Sequence, residues 1–258
     1  MRLQRVGAVM RKEVREFRRN RFVVGTMAVL PLVFLVTPLV TLFRIPDSAS
    51  GAAVRSAVGT LSLLMLIVPI VIPPVIAAYS VVGERDQGTL EPVLTAPVRA
   101  SELLLGKAAA AFVPSVAIAY ALYFVTAVSL RIGAAHAVSA VVWHTPQLLA
   151  QILFTPLLAL WAIWVGIGIS TRAGDVRVAQ QLATVAGLPL LAFTSLISFQ
   201  LIKPSVPLAI GLALALLAAD IVAWRVVSRL FDRERLITGT QARDRGHERN
   251  VPVSAGHG

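Results

Sequence analysis

The chain has 258 residues, of which 57% are hydrophobic and only 14% are charged, and its mean hydropathy is +0.78. Soluble domains carry about 25% charged residues and could not bury this much apolar surface, so a soluble globular protein is excluded. The 24 Lys and Arg residues exceed the 13 Asp and Glu residues by 11, and the absence of cysteine excludes disulfides, thiolate metal sites and cysteine nucleophiles.

The first predicted element is an amphipathic helix over residues 2–20. Its apolar residues recur at intervals of three and four, which is the period of one helical face, and basic residues fill the other faces. The apolar positions are Leu3, Val6, Met10, Val14 and Phe17. This pattern is typical of a helix in the membrane interface, with its apolar stripe in lipid and its arginines near phosphate groups.

Six apolar stretches are long enough to cross a membrane, because a helix needs about 20 apolar residues to span a hydrocarbon core of about 30 Å. They cover residues 22–43, 56–82, 103–130, 148–170, 181–202 and 206–228. The first is too long for the apolar region of a signal peptide and is interpreted as retained. The sequence therefore predicts an all-α integral membrane fold, with a single domain over residues 1–237 and a disordered basic tail over residues 238–258.

The basic residues predict the orientation of the spans. With six spans, both ends of the chain and the second and fourth connections lie on one side, and this side carries twenty of the Lys and Arg residues. The other side carries four, namely Arg44, Arg55, Arg131 and Lys203. Because basic residues accumulate in cytoplasmic loops, both termini are predicted to be cytoplasmic in a multi-pass protein of the plasma membrane. The basic excess is thus a topology signal, and no nucleic-acid partner is expected.

Three prolines interrupt the second span: Pro69, Pro73 and Pro74. Proline removes a backbone hydrogen bond and kinks a helix, so these positions form either a static bend or a hinge. A hinge is the functional hypothesis, because this span leads directly into the next polar segment. Unchanged activity after replacing Pro73 and Pro74 with Ala would favour the static bend.

The segment from Gly83 to Lys107 is too long for a bare turn and too polar to lie in the membrane. Thr89 is a suitable N-cap, Glu91 follows in the first turn, and Pro97 ends the helix, so the sequence predicts a short helix from Thr89 to Ala96. Its apolar face is formed by Leu90, Val93 and Leu94. A short apolar face of this kind either lies on the membrane surface or is covered by a partner protein.

The same segment carries a recognisable motif of the form E-x-x-x-G-T-L-E-x-L-L-x-x-P, followed by Gly-Lys. The matching residues are Glu84, Gly88, Thr89, Leu90, Glu91, Leu94, Pro97, Gly106 and Lys107, and Val93 stands where Leu is preferred. Together with the six spans, the chain resembles the membrane (permease) subunits of type-2 ATP-binding-cassette (ABC-2 type) exporters.

This resemblance implies that the short helix is a coupling helix that docks on a separate ATP-binding-cassette ATPase subunit, and that the N-terminal helix is a connecting helix. Glu84, Glu91 and Arg85 would supply polar contacts there or hold the helix in place, and Gly88 would permit the sharp entry into the helix. ATP and Mg²⁺ would be bound by the partner, with no cofactor in this chain, and a second permease copy would complete the transporter as a homodimer or heterodimer. The resemblance implies export, and the aliphatic spans suit an amphiphilic, drug-like or lipid-linked substrate.

No enzymatic activity is expected of the chain itself. Gly106-Lys107 is not a phosphate-binding loop, because that motif requires Gly at position 101 and a hydroxyl at position 108, where the chain has Ser101 and Ala108. No catalytic or metal site is predicted. Two alternatives stay open: a membrane-embedded transferase for a lipid-linked substrate, which would use the acids Glu84, Asp86 and Glu91, and a membrane scaffold without transport.

Asp220 is the one acid within a predicted span, and an intramembrane carboxylate is costly enough to be a functional candidate. It lies five residues before Arg225 and could pair with an arginine at the membrane surface. The sharper hypothesis is a gate, in which Asp220 pairs with Arg172 or Arg177 in one state and releases in the other.

Overall fold

The computed structural model describes residues 3–83, 99–143, 145–198 and 205–230, and these residues form helices without strands. The helices are α1 (Leu3–Arg19), α2 (Arg21–Phe43), α3 (Gly51–Ala78), α4 (Ala100–Gly133), α5 (His136–Val142), α6 (Thr145–Ser170), α7 (Val176–Ser198) and α8 (Val206–Leu230). A π-helical turn, Tyr79–Gly83, continues α3. The predicted tail lies outside the described residues.

Six of these helices are long and apolar enough to cross a membrane: α2, α3 with its π-helical turn, α4, α6, α7 and α8. The predicted all-α membrane fold is therefore confirmed. On α2, α7 and α8 many large apolar side chains are exposed, including Leu32, Leu188 and Leu214. Such surfaces suit contact with hydrocarbon and would be unfavourable in water.

The centre of the bundle is α3, whose most apolar stretch is 78% buried, against 17–19% for α2, α7 and α8. Helices α2, α4, α6 and α7 all pack around α3. Two glycines permit close approaches to α3: a Cβ on Gly166 of α6 would lie 3.3 Å from the Cα of Pro74, and a Cβ on Gly187 of α7 would overlap Ile70 Cγ2. The proline-containing helix is thus held on several sides.

Several helices begin earlier than the predicted spans. Helix α3 begins at Gly51, because the Ser50 hydroxyl accepts a hydrogen bond from the backbone N–H of Ala53 and caps the helix. Helix α7 begins at Val176, so its first turns carry polar residues that hydropathy alone assigns to a loop. Hydropathy detects the part of a helix that lies in lipid, whereas the hydrogen-bonded helix extends beyond it.

The short helix α5, between α4 and α6, was not predicted. At seven residues it is too short to produce a spanning signal, yet Val138 and Val142 are buried against α3 and α4. The residue that follows it, Trp143, donates its indole N–H to the Ala127 carbonyl at 3.3 Å. Tertiary packing therefore forms this helix, which has little amphipathic pattern of its own.

Helix α1 confirms the predicted N-terminal helix, but the prediction that its apolar stripe faces lipid is wrong for most of its length. Phe17 is 5% exposed, and Val9, Met10 and Val14 pack against the same buried cluster, which includes residues of α3 and α4. Only the first stripe residue, Leu3, is strongly exposed. The stripe is covered by protein because α1 lies across the start of α4.

Candidate functional site

The candidate site is the base of the predicted coupling segment, where the chain leaves α3 and enters α4. Most of the predicted coupling residues lie outside the described residues, namely Glu84, Arg85, Gly88, Thr89, Leu90, Glu91, Leu94 and Pro97. The structure describes the last two, Gly106 and Lys107, in the second turn of α4. It also describes both ends of the segment, at Gly83 and Arg99, and the helix α1 packed beside them.

Lys107 is the centre of this site, and its side chain is completely buried. Its Nζ donates a hydrogen bond to Glu13 Oε1 of α1 at 2.8 Å and another to the Ser80 carbonyl oxygen at 2.6 Å. Glu13 is itself only 1% exposed. One ammonium group therefore joins three elements, α1, the end of α3 and the start of α4, and we call these contacts the lysine junction.

The Ser80 carbonyl lies at the end of α3, where a side chain from another helix can donate to it. The last carbonyl groups of a helix have no partner within it, and they carry the negative end of the helix dipole. Ser80 lies in the turn Tyr79–Gly83 that ends α3, so a buried cation satisfies its carbonyl both as a hydrogen-bond donor and as a charge. π-Helical turns are frequent at functional sites.

Gly106 brings α1 close enough for the lysine junction to form. A Cβ at this position would lie 2.5 Å from Val9 Cγ1 and 3.2 Å from the Val6 carbonyl oxygen. Any larger residue would push α1 away from α4. The Gly-Lys pair of the motif therefore has two coupled roles here: the glycine permits the helix crossing, and the lysine bonds across it.

Replacing Gly106 with Ala is expected to destabilise the protein by about 1–3 kcal/mol, because the added methyl group overlaps α1. Gly7→Ala is the matched control on α1, since a methyl group added there would have no neighbouring atom within 4 Å. That change should stabilise the helix by up to about 1 kcal/mol. Denaturant unfolding in detergent measures both, and equal effects at the two positions would contradict the close crossing.

A second contact fixes the entry into α4. The Glu102 carboxylate, which is 2% exposed, accepts a hydrogen bond from the backbone N–H of Arg99 at 3.2 Å. The same carboxylate lies 3.7 Å from the guanidinium of Arg5 on α1. Glu102 thereby caps α4 and ties it to α1, so the far end of the coupling segment is anchored independently of Lys107.

Neither Glu13 nor Ser80 is among the site residues predicted from the sequence. A usable signal existed for Glu13, because it stands on the apolar stripe of α1, three residues after Met10 and four before Phe17. An acid on a buried stripe needs a compensating partner or a proton, and a buried cation is one such partner. Ser80 gave no such signal, because it contributes its backbone carbonyl and any residue type could do so.

The predicted hinge residues, Pro69, Pro73 and Pro74, all lie inside α3 and are buried. The helix continues through them and changes to π-helical geometry only at Tyr79. They lie in the packed centre of the bundle, where Gly166 of α6 approaches Pro74 closely. Whether the helix bends there stays a prediction.

The predicted gate residues are separated in this structure. Asp220 of α8 is 3% exposed, and neither of its carboxylate oxygens has a hydrogen-bond partner among the described residues. Arg172 and Arg177, in and after the connection from α6 to α7, are exposed. Among the described residues no contact joins Asp220 to either arginine, and the gate stays a prediction.

The model of one family, described as ABC-2 type transporter, matches residues 4–209. The match includes α1, the lysine junction and the segment between α3 and α4. No individual curated protein matches the chain.

Proposed function

The chain belongs to the ABC-2 type transporter family, in which it is a permease, and on this basis we propose that ATP hydrolysis in a separate subunit drives it. The ATPase docks on the coupling segment, residues 84–98, and force applied there reaches the spans through the lysine junction. ATP and Mg²⁺ are bound by that partner, and a second permease copy faces this one across the translocation path.

The lysine junction is the observation that carries this proposal. The coupling segment begins after the π-helical turn that contains Ser80 and ends just before Arg99, which precedes Lys107 by eight residues. Lys107 Nζ connects the two sides of this base at 2.6 Å from the Ser80 carbonyl, and it adds α1 through Glu13 at 2.8 Å. Because these contacts make the base of the segment rigid, a small displacement of the segment would move α1, α3 and α4 together. Without them, the displacement would only bend the chain locally.

Motion of the junction would be passed to the bundle through α3. Tyr79, where the π-helical turn begins, follows Pro74 by five residues. Because proline lacks the N–H that would bond to the preceding turn, the helix resists bending less at these positions. We propose that α3 bends near Pro69, Pro73 and Pro74 and thereby changes which side of the membrane the translocation path faces.

The orientation and direction of transport are part of the proposal. The placement of twenty basic residues on one side supports cytoplasmic termini in the plasma membrane, with the coupling segment on the cytoplasmic side, where ATP is available. Membership of the family favours export. The aliphatic faces of the spans support an amphiphilic, drug-like or lipid-linked substrate. A membrane-embedded transferase is the second candidate, favoured only by the acids Glu84, Asp86 and Glu91.

Site-specific labelling tests the proposal, because the chain has no native cysteine. A membrane-impermeant maleimide should label Thr89→Cys only after cells are permeabilised, and a photo-crosslinker on this cysteine should trap a nucleotide-hydrolysing protein. Asp47→Cys, in the exposed connection between α2 and α3, is the control and should be labelled on intact cells. Labelling of Thr89→Cys on intact cells, or crosslinks that never contain an ATPase, would overturn the proposal.

A further inference from the structure

Asp220 is the most unusual buried group outside the lysine junction. It lies in the second half of α8, is 3% exposed, and belongs to a helix apolar enough to cross a membrane. Both of its carboxylate oxygens are buried without a hydrogen-bond partner among the described residues. A carboxylate in this position needs either a compensating charge or a proton.

Among the described residues, the two helices with the most extensive contact against α8 offer no compensating charge. Its main neighbour is α6, and the sequence of α6 contains no Asp, Glu, Lys, Arg or His. Helix α4 makes a smaller contact, and its charged residues Glu102, Lys107 and Arg131 lie in its first two turns and its last turn. The two tyrosines of α4 are engaged elsewhere, since Tyr120 donates to the Ile152 carbonyl and Tyr123 to the Val142 carbonyl.

The other charges of α8 itself point away from this interface. Arg225 and Arg229, which lie further towards the C-terminal end of the helix, are exposed. Among the described residues, no ion pair joins Asp220 to either of them or to any other cation. The charge of Asp220 is therefore not balanced from its own helix.

The position of Asp220 between two packed residues shows which part of α6 it faces. Leu216, one turn before it, packs in a cluster with Leu158, and Trp224, one turn after it, contacts Trp164 with the ring centroids 5.0 Å apart. Asp220 thus lies level with the intervening turn of α6, which contains Trp161. The indole N–H of Trp161 is also buried without a partner among the described residues.

An ionised carboxylate without a partner is far more costly in an apolar interior than a neutral carboxylic acid. We propose that Asp220 is a proton-binding site, and that the contact between α6 and α8 closes only while the carboxyl group carries its proton. Loss of the proton drives the carboxylate towards water or a cation and opens this contact.

Thermal unfolding of the full chain in detergent between pH 5 and pH 9 tests this site. Because the folded state would bind a proton that the unfolded state releases, stability should fall as pH rises. Asp220→Asn, which mimics the neutral acid, should remove this fall and raise the midpoint at pH 9 by on the order of 5 °C relative to the unmodified chain. Asp47→Asn, an exposed acid in the connection between α2 and α3, is the control and should keep the full pH dependence.

Parallel pH curves for the unmodified chain and Asp220→Asn would overturn the proposal. If Asp220→Asn fails to fold, infrared difference spectroscopy on the unmodified chain tests the proposal instead. A protonated carboxyl C=O band should be present at pH 5 and be lost as the pH rises, and its absence at pH 5 would also overturn the proposal. Neither measurement requires an ATPase or a substrate, so the result is independent of the proposed coupling.

Discussion

Replacing Lys107 with Met is expected to lower the free energy of unfolding by about 3–5 kcal/mol, the cost of removing one partner from a buried ion pair. The side chain of Lys107 is fully buried, and Met would fill much of its volume without its charge. The loss would leave the Glu13 carboxylate, 1% exposed, without its 2.8 Å contact, and the Ser80 carbonyl without its donor. Denaturant titration in detergent measures the change.

A double-variant cycle separates this electrostatic effect from simple packing. Glu13→Gln combined with Lys107→Met removes both charges, so the double variant should be more stable than Lys107→Met alone, with a coupling energy of about 1–3 kcal/mol. Lys12→Met is the matched control, because Lys12 is 41% exposed and lies 3.7 Å from Glu13 and 3.3 Å from Glu16. It should cost less than about 1 kcal/mol. Equal costs for Lys12→Met and Lys107→Met would contradict the lysine junction.

Introducing Asp at both Leu90 and Leu94 is expected to abolish association with the ATPase subunit. The sequence places these residues on the apolar face of the predicted coupling helix, and hot-spot residues in an interface contribute at least about 2 kcal/mol each. Losing two of them corresponds to a decrease in affinity of about 10³-fold. Co-purification of the ATPase with the tagged permease, together with transport, measures the effect.

The control for this variant is Leu3→Asp, because Leu3 is an apolar residue of α1 that is 81% exposed. It should leave both co-purification and transport unchanged. The lysine junction is formed by Glu13, Ser80 and Lys107, and none of these is substituted in the two variants. The permease itself should therefore stay folded, and its thermal midpoint measures this. Retention of the ATPase by the Leu90→Asp/Leu94→Asp variant would contradict docking on this segment.

The sequence motif predicted which residues belong to part of the candidate site, but it did not predict their contacts. The motif contained Gly106 and Lys107, so two of its members could be identified from spacing and from resemblance. Their roles could not, because the partner of Lys107 lies 94 residues earlier in the chain, on a helix whose apolar stripe was interpreted as facing lipid. An amphipathic pattern shows that a face is covered, but it does not distinguish lipid from protein as the cover.

The order of residues along the chain was sufficient to identify the class of the protein. A run of about 20 apolar residues has few stable alternatives to a membrane-spanning helix, so six such runs predicted the six helices. Packing between distant segments is not encoded in such local patterns. The folded chain was needed to reveal that α1 crosses α4 at Gly106, that α3 is the central helix, and that Asp220 faces a helix without charges. Each of these depends on which faces meet in three dimensions, and hydropathy and spacing along one chain do not specify it.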